Sequence, residues 1–175
     1  MGHAVNRMML FADEAGFSLH PKLGRVWFPR GKKAPTVWTK SEHKKRVNVL
    51  GWVDPIKGRH GMMKIEQGNR AGFVRFLRLI ARRFRDKLMD IWVDGPPWHK
   101  GEEIRVFLSV HKHINLHYLP AYHPRLNCQE TLWRTVRYEE TTNVYFESMD
   151  ALSRAIFQRS QRWKPRKILS LCQLI

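Results

Sequence analysis

The sequence predicts an α/β domain with a mixed β-sheet flanked by α-helices, and three features of the chain support this class. Short apolar runs such as residues 8–12 are bounded by polar residues, as in buried strands. Residues 69–87 instead repeat apolar side chains at the helical period. Strand-like and helix-like stretches alternate along 175 residues, which fits one domain at roughly 100–200 residues per domain.

The first half of the chain predicts mainly strands. The first strand stops at Asp13, and residues 24–38 predict a second strand, a turn at positions 30–31 and a basic loop. Residues 44–67 predict two further strands, joined by a turn around Pro55 and Gly58.

Residues 69–87 predict a helix with two different faces. The apolar face carries Phe73, Phe76, Leu77, Ile80 and Phe84. The opposite face carries a basic stripe of Arg75, Arg78, Arg82 and Arg85. This stripe suits either phosphate contact or a plain solvated face, and the sequence does not separate the two.

The second half predicts another apolar strand, which ends at Asp94, and then elements at short intervals. They are a helix at about 100–110, a strand at 114–120, and helices at 128–139 and 148–163, the last with Ser148 as its N-cap.

The charge of the chain indicates a polyanionic partner. Lys and Arg total 32 against 15 Asp and Glu, for a net charge of +17, so nucleic acid is the first candidate. An acidic membrane is a weaker candidate, because the sequence has no apolar span, lipid anchor or interfacial helix. Hydrophobic residues make up 43%, enough for a core, and we expect a soluble, intracellular protein.

Neither the cysteines nor a histidine cluster predicts a structural site. Cys128 and Cys172 are isolated, which indicates a reducing compartment and no disulfide framework. His111, His113 and His117 have no cysteine or acid at ligand spacing, so we interpret them as the polar side of a strand.

Three acids invite a functional interpretation. Asp13 and Asp94 each follow an apolar strand, and Glu130 begins a predicted helix. Brought together, three carboxylates would resist ionisation, and a pair of hard divalent cations would compensate them and support phosphodiester cleavage. The alternatives are two turn-forming aspartates and a glutamate that stabilises a helix N-terminus. The pattern alone does not choose between these interpretations.

Three ordered motifs carry a family resemblance. "FADEAGFSL", followed by "GRVWFPRGKKAP" and "VNVLGWV", resembles the start of the catalytic domain of mariner-like bacterial insertion-sequence transposases of the DDE superfamily. "IWVDGPPWHKGEEI" resembles the second-aspartate motif, and "INLHYLPAYHPRLNCQETLWRTVR" resembles the third. The 35 residues between Asp94 and Glu130 are close to the gap typical of that family.

The resemblance implies a ribonuclease-H-like fold and a catalytic, metal-binding triad of Asp13, Asp94 and Glu130. It implies Mg²⁺ or Mn²⁺ at a two-metal site, hydrolysis of DNA at transposon ends, and transfer of the 3′-hydroxyl to target DNA. The implied partners are transposon-end and target DNA and a second copy of the chain in a homodimer. In a bacterial cell such a protein is cytoplasmic and associates with the nucleoid.

Several residues are candidates for secondary roles. Candidate DNA contacts are Lys32, Lys33, Lys40, Lys44, Lys45, Arg46, His99, Lys100 and Arg125, although the loop that holds the first six is equally suited to subunit contact or to simple solvation. His99 is alternatively a residue that orients Asp94 or packs in a turn. Asn127 is expected to fix the loop before Glu130 through bonds to backbone, and Trp133 is expected in the core.

The chain departs from the family pattern at a few positions. Gly95 stands where many relatives have asparagine, His123 where serine is usual, and Cys128 and Gln129 replace a proline and a hydrophobic residue before Glu130. Residues 1–175 are expected to form a single catalytic domain without an N-terminal helix-turn-helix domain, so that a separate subunit could supply DNA recognition. The alternative function is a non-catalytic, DNA-binding or partner-binding remnant that modulates a full-length transposase.

Overall fold

The computed structural model describes residues 7–37, 45–120 and 123–172. The strands are β1 (Arg7–Ser18), β2 (Arg46–Asp54), β3 (Arg59–Ile65), β4 (Leu88–Val93) and β5 (Ile114–Tyr118). The helices are α1 (Arg70–Arg83), α2 (Glu102–Val110), α3 (Cys128–Val136), α4 (Met149–Gln161) and α5 (Pro165–Leu171). No helix in these ranges is long and apolar enough to cross a membrane.

The five strands form one mixed sheet in the order β3-β2-β1-β4-β5. Strands β1, β2 and β3 pair antiparallel, whereas β4 and β5 run parallel to β1. Helices cover both faces, because successive strand side chains point to opposite sides. On one face Leu10 and Ala12 of β1 pack with α1 and α2 residues, and on the other Phe11 and Phe17 pack with α3, α4 and α5. The predicted α/β class with a mixed sheet is confirmed.

Helix α1 follows directly from its sequence pattern. The side-chain oxygen of Asn69 accepts a hydrogen bond from the Gly72 N–H at 2.8 Å, which caps the first turn. The predicted apolar residues are buried against the sheet, and the helix ends at Arg83 with Phe84 as its C-cap. The predicted helices at 100–110, 128–139 and 148–163 are also confirmed, although α3 gives way to a π-helical turn at Arg137–Thr141. Ser148 caps α4 as expected.

Helix α3 lies unusually close to the sheet. Gly51 of β2 has no side chain, and a Cβ at this position would come within 2.5 Å of the Trp133 ring and 2.6 Å of Gln129 Nε2. Trp133 is fully buried, as predicted. Asn127 accepts from the Gln129 N–H at 3.1 Å and caps the helix, as predicted for a residue that fixes this loop. The start of α3 is therefore held at a fixed height over β1 and β2.

One prediction about strand ends is wrong. Asp13 does not end its strand, because β1 continues to Ser18. The second half of β1 remains a strand since it pairs with β2, from Glu14 with Leu50 to Ser18 with Arg46, and buries Phe17 against α3. Asp94, by contrast, directly follows β4 as predicted.

The predicted strand within residues 24–38 is also wrong. Its described residues pair with none of the five strands of the sheet and have no strand assignment of their own. The segment is instead tied to the Thr142 region, where Lys22 forms an isolated bridge and the Gly24 N–H donates to Asn143 Oδ1 at 2.8 Å. The predicted turn at positions 30–31 is present, with Gly31 at a φ of +82°.

The interpretation of the three histidines as the polar side of a strand is correct only for His117. Strand β5 begins at Ile114, whereas His111 caps the end of α2 and His113 lies in the turn between them. Cys128 and Cys172 are buried free thiols. His117 lies in β5, stacks on Trp92 and contacts Asp90 Oδ1 at 2.8 Å, while His111 stacks on Phe107. No three-ligand group in these ranges includes His111, His113 or His117.

The close approach at Gly51 predicts a strong effect of a small substitution. Gly51→Ala should lower the free energy of unfolding by about 1–3 kcal/mol, because the added methyl must push the Trp133 ring or α3 outward. Urea denaturation measures this decrease. Gly68→Ala is the matched control, since a Cβ there meets nothing within 4 Å. Equal stability of the two variants would contradict the packing account.

Candidate metal centre

Asp13 and Asp94 come together through the parallel pairing of β1 with β4. The paired register runs from Arg7 with Leu88 to Phe11 with Trp92. Two residues beyond that last pair, on the same face of the sheet, stand Asp13 and Asp94. The two aspartates are therefore neighbours at the edge where β4 ends.

Glu130 reaches this edge from α3. It lies in the first turn of the helix, behind the Asn127 cap, and its side chain is 37% exposed. Gly51, which allows α3 to approach, pairs directly with Asp13 in the sheet. The same contact that packs α3 therefore brings Glu130 over Asp13.

The pKa of Asp13 reflects its burial and the nearness of other acids. Burial, followed by the negative charges of Asp94, Glu14 and Glu130, raises the pKa of Asp13 from 3.8 to about 8. Little positive charge offsets this, because the ion pair of Glu130 with Arg137 is long, at 4.0 Å. Without a cation, Asp13 holds a proton at neutral pH.

A buried histidine links Asp94 to a fourth acid. The side chain of His99 is fully buried, and its Nδ1 lies 3.0 Å from both the backbone oxygen and the Oδ1 of Asp94. Its Nε2 lies 2.8 Å from Glu14 Oε1. Burial alone would lower the pKa of His99, but hydrogen bonds to Asp94 and Glu14 outweigh it and raise the pKa to about 9. The protonated ring donates to both acids and fixes the Asp94 carboxylate.

Glu14 is the residue that the sequence interpretation missed. Its side chain points to the opposite side of β1 from Asp13, where Oε1 also accepts a hydrogen bond from Trp98 Nε1 at 3.0 Å. Glu14, Asp94 and His99 form a compact group with ligand atoms within 4.8 Å of one another. The hydrogen bonds of His99 account for this compactness. The adjacent acids Asp13 and Glu14 were a visible signal, but only the fold assigns them to two faces.

The predicted DNA contacts fall into three groups. Lys32, Lys33, Arg46, Lys100 and Arg125 are exposed, as is Lys45, and their role in binding stays a prediction. Lys40 and Lys44 lie outside the described residues. The prediction that His99 contacts DNA is wrong, because its ring is inaccessible and both nitrogens are occupied by acids. The geometry fits the alternative role of orienting Asp94.

The departures from the family pattern leave the three acids in reach of one another. Gly95 is exposed directly after Asp94, and His123 is exposed ahead of α3. Cys128 and Gln129 are buried in the first turn of α3, and Cys128 Sγ lies 3.8 Å from the Cys172 carbonyl oxygen. The two substitutions thus fill the interface between the helix and the body of the domain.

The raised pKa of Asp13 predicts how stability depends on pH. The folded protein retains a proton that the unfolded chain releases between pH 4 and pH 8, so this group makes folding less favourable as pH rises through that window. Metal-free Asp13→Asn should therefore be more stable than the wild type at pH 8 by about 1 kcal/mol or more, roughly 2–4 °C in Tm. The difference should disappear near pH 4.

Differential scanning calorimetry in EDTA measures this effect. Asp86→Asn is the control, because Asp86 is 88% exposed and far from the centre. A wild type as stable as Asp13→Asn at pH 8 would show that Asp13 is not destabilised by its neighbours.

Comparisons with known proteins agree with this architecture. Residues 8–153 match the family model described as "DDE superfamily endonuclease". A curated relative, the "Insertion element IS630 uncharacterized 39 kDa protein" of Shigella sonnei, is 28% identical over 142 residues. That alignment covers 81% of this chain and 41% of the relative, so the chain spans about two fifths of its length.

Solved structures of the Mos1 transposase share the fold. The Mos1 strand transfer complex matches with a TM-score of 0.72 at 16% identity, covering 97% of this chain and 52% of the Mos1 chain. The Mos1 paired-end complex with Mn matches with a TM-score of 0.72 at 15% identity, covering 94% and 51%. The Mos1 catalytic domain matches with a TM-score of 0.62 at 14% identity, covering 94% and 75%. The fold is ribonuclease-H-like, and the chain belongs to the DDE superfamily of endonucleases.

Proposed function

We propose that this chain is the catalytic domain of an insertion-element transposase. It would hydrolyse DNA phosphodiester bonds at transposon ends with Mg²⁺ or Mn²⁺ and then join the 3′-hydroxyl to target DNA. The observation that carries the proposal is the convergence of Asp13, Asp94 and Glu130, whose charges act together on Asp13. The family match and the likeness to Mos1 structures support the same conclusion.

The residues present fit divalent ions. Asp94 and Glu130 lie near enough to Asp13 that their charges, together with burial and Glu14, raise its pKa to about 8, and carboxylate oxygens are the ligands that Mg²⁺ prefers. Among the described residues only Glu14, Asp94 and His99 form a group of three with ligand atoms within 4.8 Å of one another, so the three acids would have to close further around the ions. When bound, a pair of such ions would supply Lewis acidity and an activated water to the phosphodiester. Asp13, Asp94 and Glu130 are the side chains that would hold them.

The protein's own residues hold the three acids in fixed positions. Asp13 is fixed in the central strand β1 by its pairing with Gly51 of β2. Asp94 is 51% exposed and therefore open to substrate, while His99 holds its carboxylate from beneath. Glu130 lies on α3, and the absence of a side chain at Gly51 fixes how closely this helix packs on the sheet. Without the hydrogen bonds from His99, Asp94 would rotate into solvent, so His99 is a positioning residue in this account.

The basic surface supplies affinity for the substrate backbone. Lys100 and Arg125 are exposed next to the elements that carry Asp94 and Glu130, and Lys32 and Lys33 are exposed on the segment between β1 and β2. Contacts of this kind are made to phosphates and are steeply salt-dependent. Pairing of two transposon ends would require a second copy of the chain, and the Mos1 paired-end complexes support such a homodimer. The relatives and solved structures give no support for a separate recognition subunit.

A non-catalytic remnant is the competing function. Such a remnant has no need to keep three mutually repelling carboxylates together, since their repulsion destabilises the fold. The retention of these three acids therefore favours an active enzyme.

Nicking of supercoiled plasmid tests the proposal. At low salt with Mg²⁺ or Mn²⁺, the purified chain should convert supercoiled to open-circular DNA. Asp94→Asn and Glu130→Gln should each reduce the rate by about 100-fold or more, the scale on which removing a group that stabilises transition-state charge reduces turnover.

Matched substitutions at exposed acids serve as controls. Asp86→Asn and Glu103→Gln make the same chemical changes away from the centre and should leave nicking unchanged. DNA binding without nicking in either metal would contradict the proposed activity, as would equal nicking by Glu130→Gln.

A further inference from the structure

The outer face of α1 carries a concentration of one kind of charge. Residues 67–85 contain six arginines, no lysine and no acid. The apolar face of the helix, including Phe73, Phe76 and Leu77, is buried in the core. The arginines are therefore all on the remaining, solvent-facing side, and the exposed ones are Arg70, Arg75, Arg78, Arg82, Arg83 and Arg85.

The central arginines of this face have no partner within the protein. Among the described residues, Arg75, Arg78 and Arg82 form no ion pair, and Arg85 is paired only with its neighbour Asp86 at 3.8 Å. Like charges three and four residues apart on a helix destabilise it by about 0.2–0.5 kcal/mol per pair. A merely soluble face would be expected to mix acids with bases, so this row is suited to an anionic partner.

The shape of the face suits a polyanion. Arg75, Arg78, Arg82 and Arg83 line a groove of about 590 Å³ with Leu79 of α1 and Met63 of β3. The three arginines at 75, 78 and 82 of α1 span about 10 Å at 1.5 Å per residue, and Arg85 follows just beyond the end of the helix. Guanidinium groups bind phosphate oxygens in a bidentate manner, which a row of lysines would not do. A phosphodiester backbone laid along the groove would meet several of them in succession.

The face leads away from the carboxylates. Near its start, Arg70 Nε donates to the Lys100 carbonyl oxygen at 2.9 Å, close to the segment that holds His99. At its end, Phe84 packs on Trp52 and lies under the guanidinium of Arg59. Arg59 also contacts Met8, so the end of the helix lies near the start of β1. Met8 precedes Asp13 by five residues of strand, about 17 Å at 3.3 Å per residue. DNA on this face therefore lies outside the reacting position.

We propose that the arginine face of α1 is a second, sequence-independent binding surface for duplex DNA, which holds a segment remote from the cleaved bond. The inference rests on the proposed function in that DNA is the partner. A membrane surface is excluded as the partner, because the helix has no apolar side left to enter a bilayer and only Leu79 stands among the arginines.

Salt-dependent binding of a random 30-base-pair duplex tests the surface. All proteins carry Asp94→Asn so that no cleavage occurs, and metal is omitted, so failure of the proposed catalysis does not affect the result. Arg75→Gln, Arg78→Gln and Arg82→Gln together should weaken binding at least tenfold. The slope of log K against log salt should fall by about 2–3, because each phosphate that the protein neutralises contributes about 0.9.

Two companion variants make the result decisive. Replacing Arg154, Arg162 and Arg166 by glutamine removes the same charge from exposed positions on the α4 and α5 side, and it should change the slope by less than about 1. Arg75→Lys, Arg78→Lys and Arg82→Lys together keep the charge and should keep the slope. A circular-dichroism melting curve of the glutamine triple that matches its parent excludes misfolding as the cause of weaker binding. Equally weakened binding in the two glutamine triples would overturn the proposal, because net charge alone would then explain binding. Tighter capture by acidic vesicles than by the duplex would also overturn it.

Discussion

The repulsion among Asp13, Asp94 and Glu130 is the constraint on which the rest of this structure depends. Three carboxylates at one edge of a sheet cost free energy, and burial together with the charges of Asp94, Glu14 and Glu130 raises the pKa of Asp13 to about 8. A fold keeps such an arrangement only where rigid elements impose it. Here two neighbouring parallel strands and one closely docked helix do so, and each element contributes one acid.

Each of these elements is held by packing on the side away from solvent. β1 is paired along both edges, and its Phe11 and Phe17 lie in the core beneath α3. Helix α3 rests on Gly51 through Trp133, so its position depends on an absent side chain. On the other face of the sheet, His99 lies 4.1 Å from the Phe73 ring, between centroids, and holds Asp94 from below. Packing on both faces of the sheet therefore helps to position Asp13, Asp94 and Glu130.

The parts of this arrangement that depend on local pattern could be predicted from sequence. The periodicity of residues 69–87 predicted α1, and Ser148 predicted the start of α4, because capping is a local interaction. The expected bond from Asn127 to nearby backbone is likewise local. The strand within 24–38 was mispredicted because its residues have a strand-like composition but those that the structure describes pair with no strand of the sheet, and strand pairing is decided by the tertiary fold. Asp13 was placed at a strand end because sequence does not show that β1 continues along β2 beyond the end of its pairing with β4.

The site could be predicted only in part. The three ordered motifs singled out Asp13, Asp94 and Glu130 among 15 acidic residues as candidate metal ligands, whereas periodicity alone did not. Glu14 was missed, and the role of His99 was left open between DNA contact, orientation of Asp94 and turn packing, because the contact of these two residues spans 85 positions in sequence. It becomes visible only when β1 lies beside the segment after β4.

Calorimetric titration of the metal-free protein with Mn²⁺ as a function of pH tests the central claim most directly. The account predicts binding that strengthens from pH 6 to pH 8.5, because the proton on Asp13 competes with the ion until its pKa of about 8 is passed. It also predicts that Asp94→Asn weakens Mn²⁺ binding by about tenfold or more. Loss of a residue that only supports a metal ligand typically costs this much, and loss of a ligand itself should cost at least as much. Binding that is independent of pH and unchanged in Asp94→Asn would show that these carboxylates do not form a metal centre.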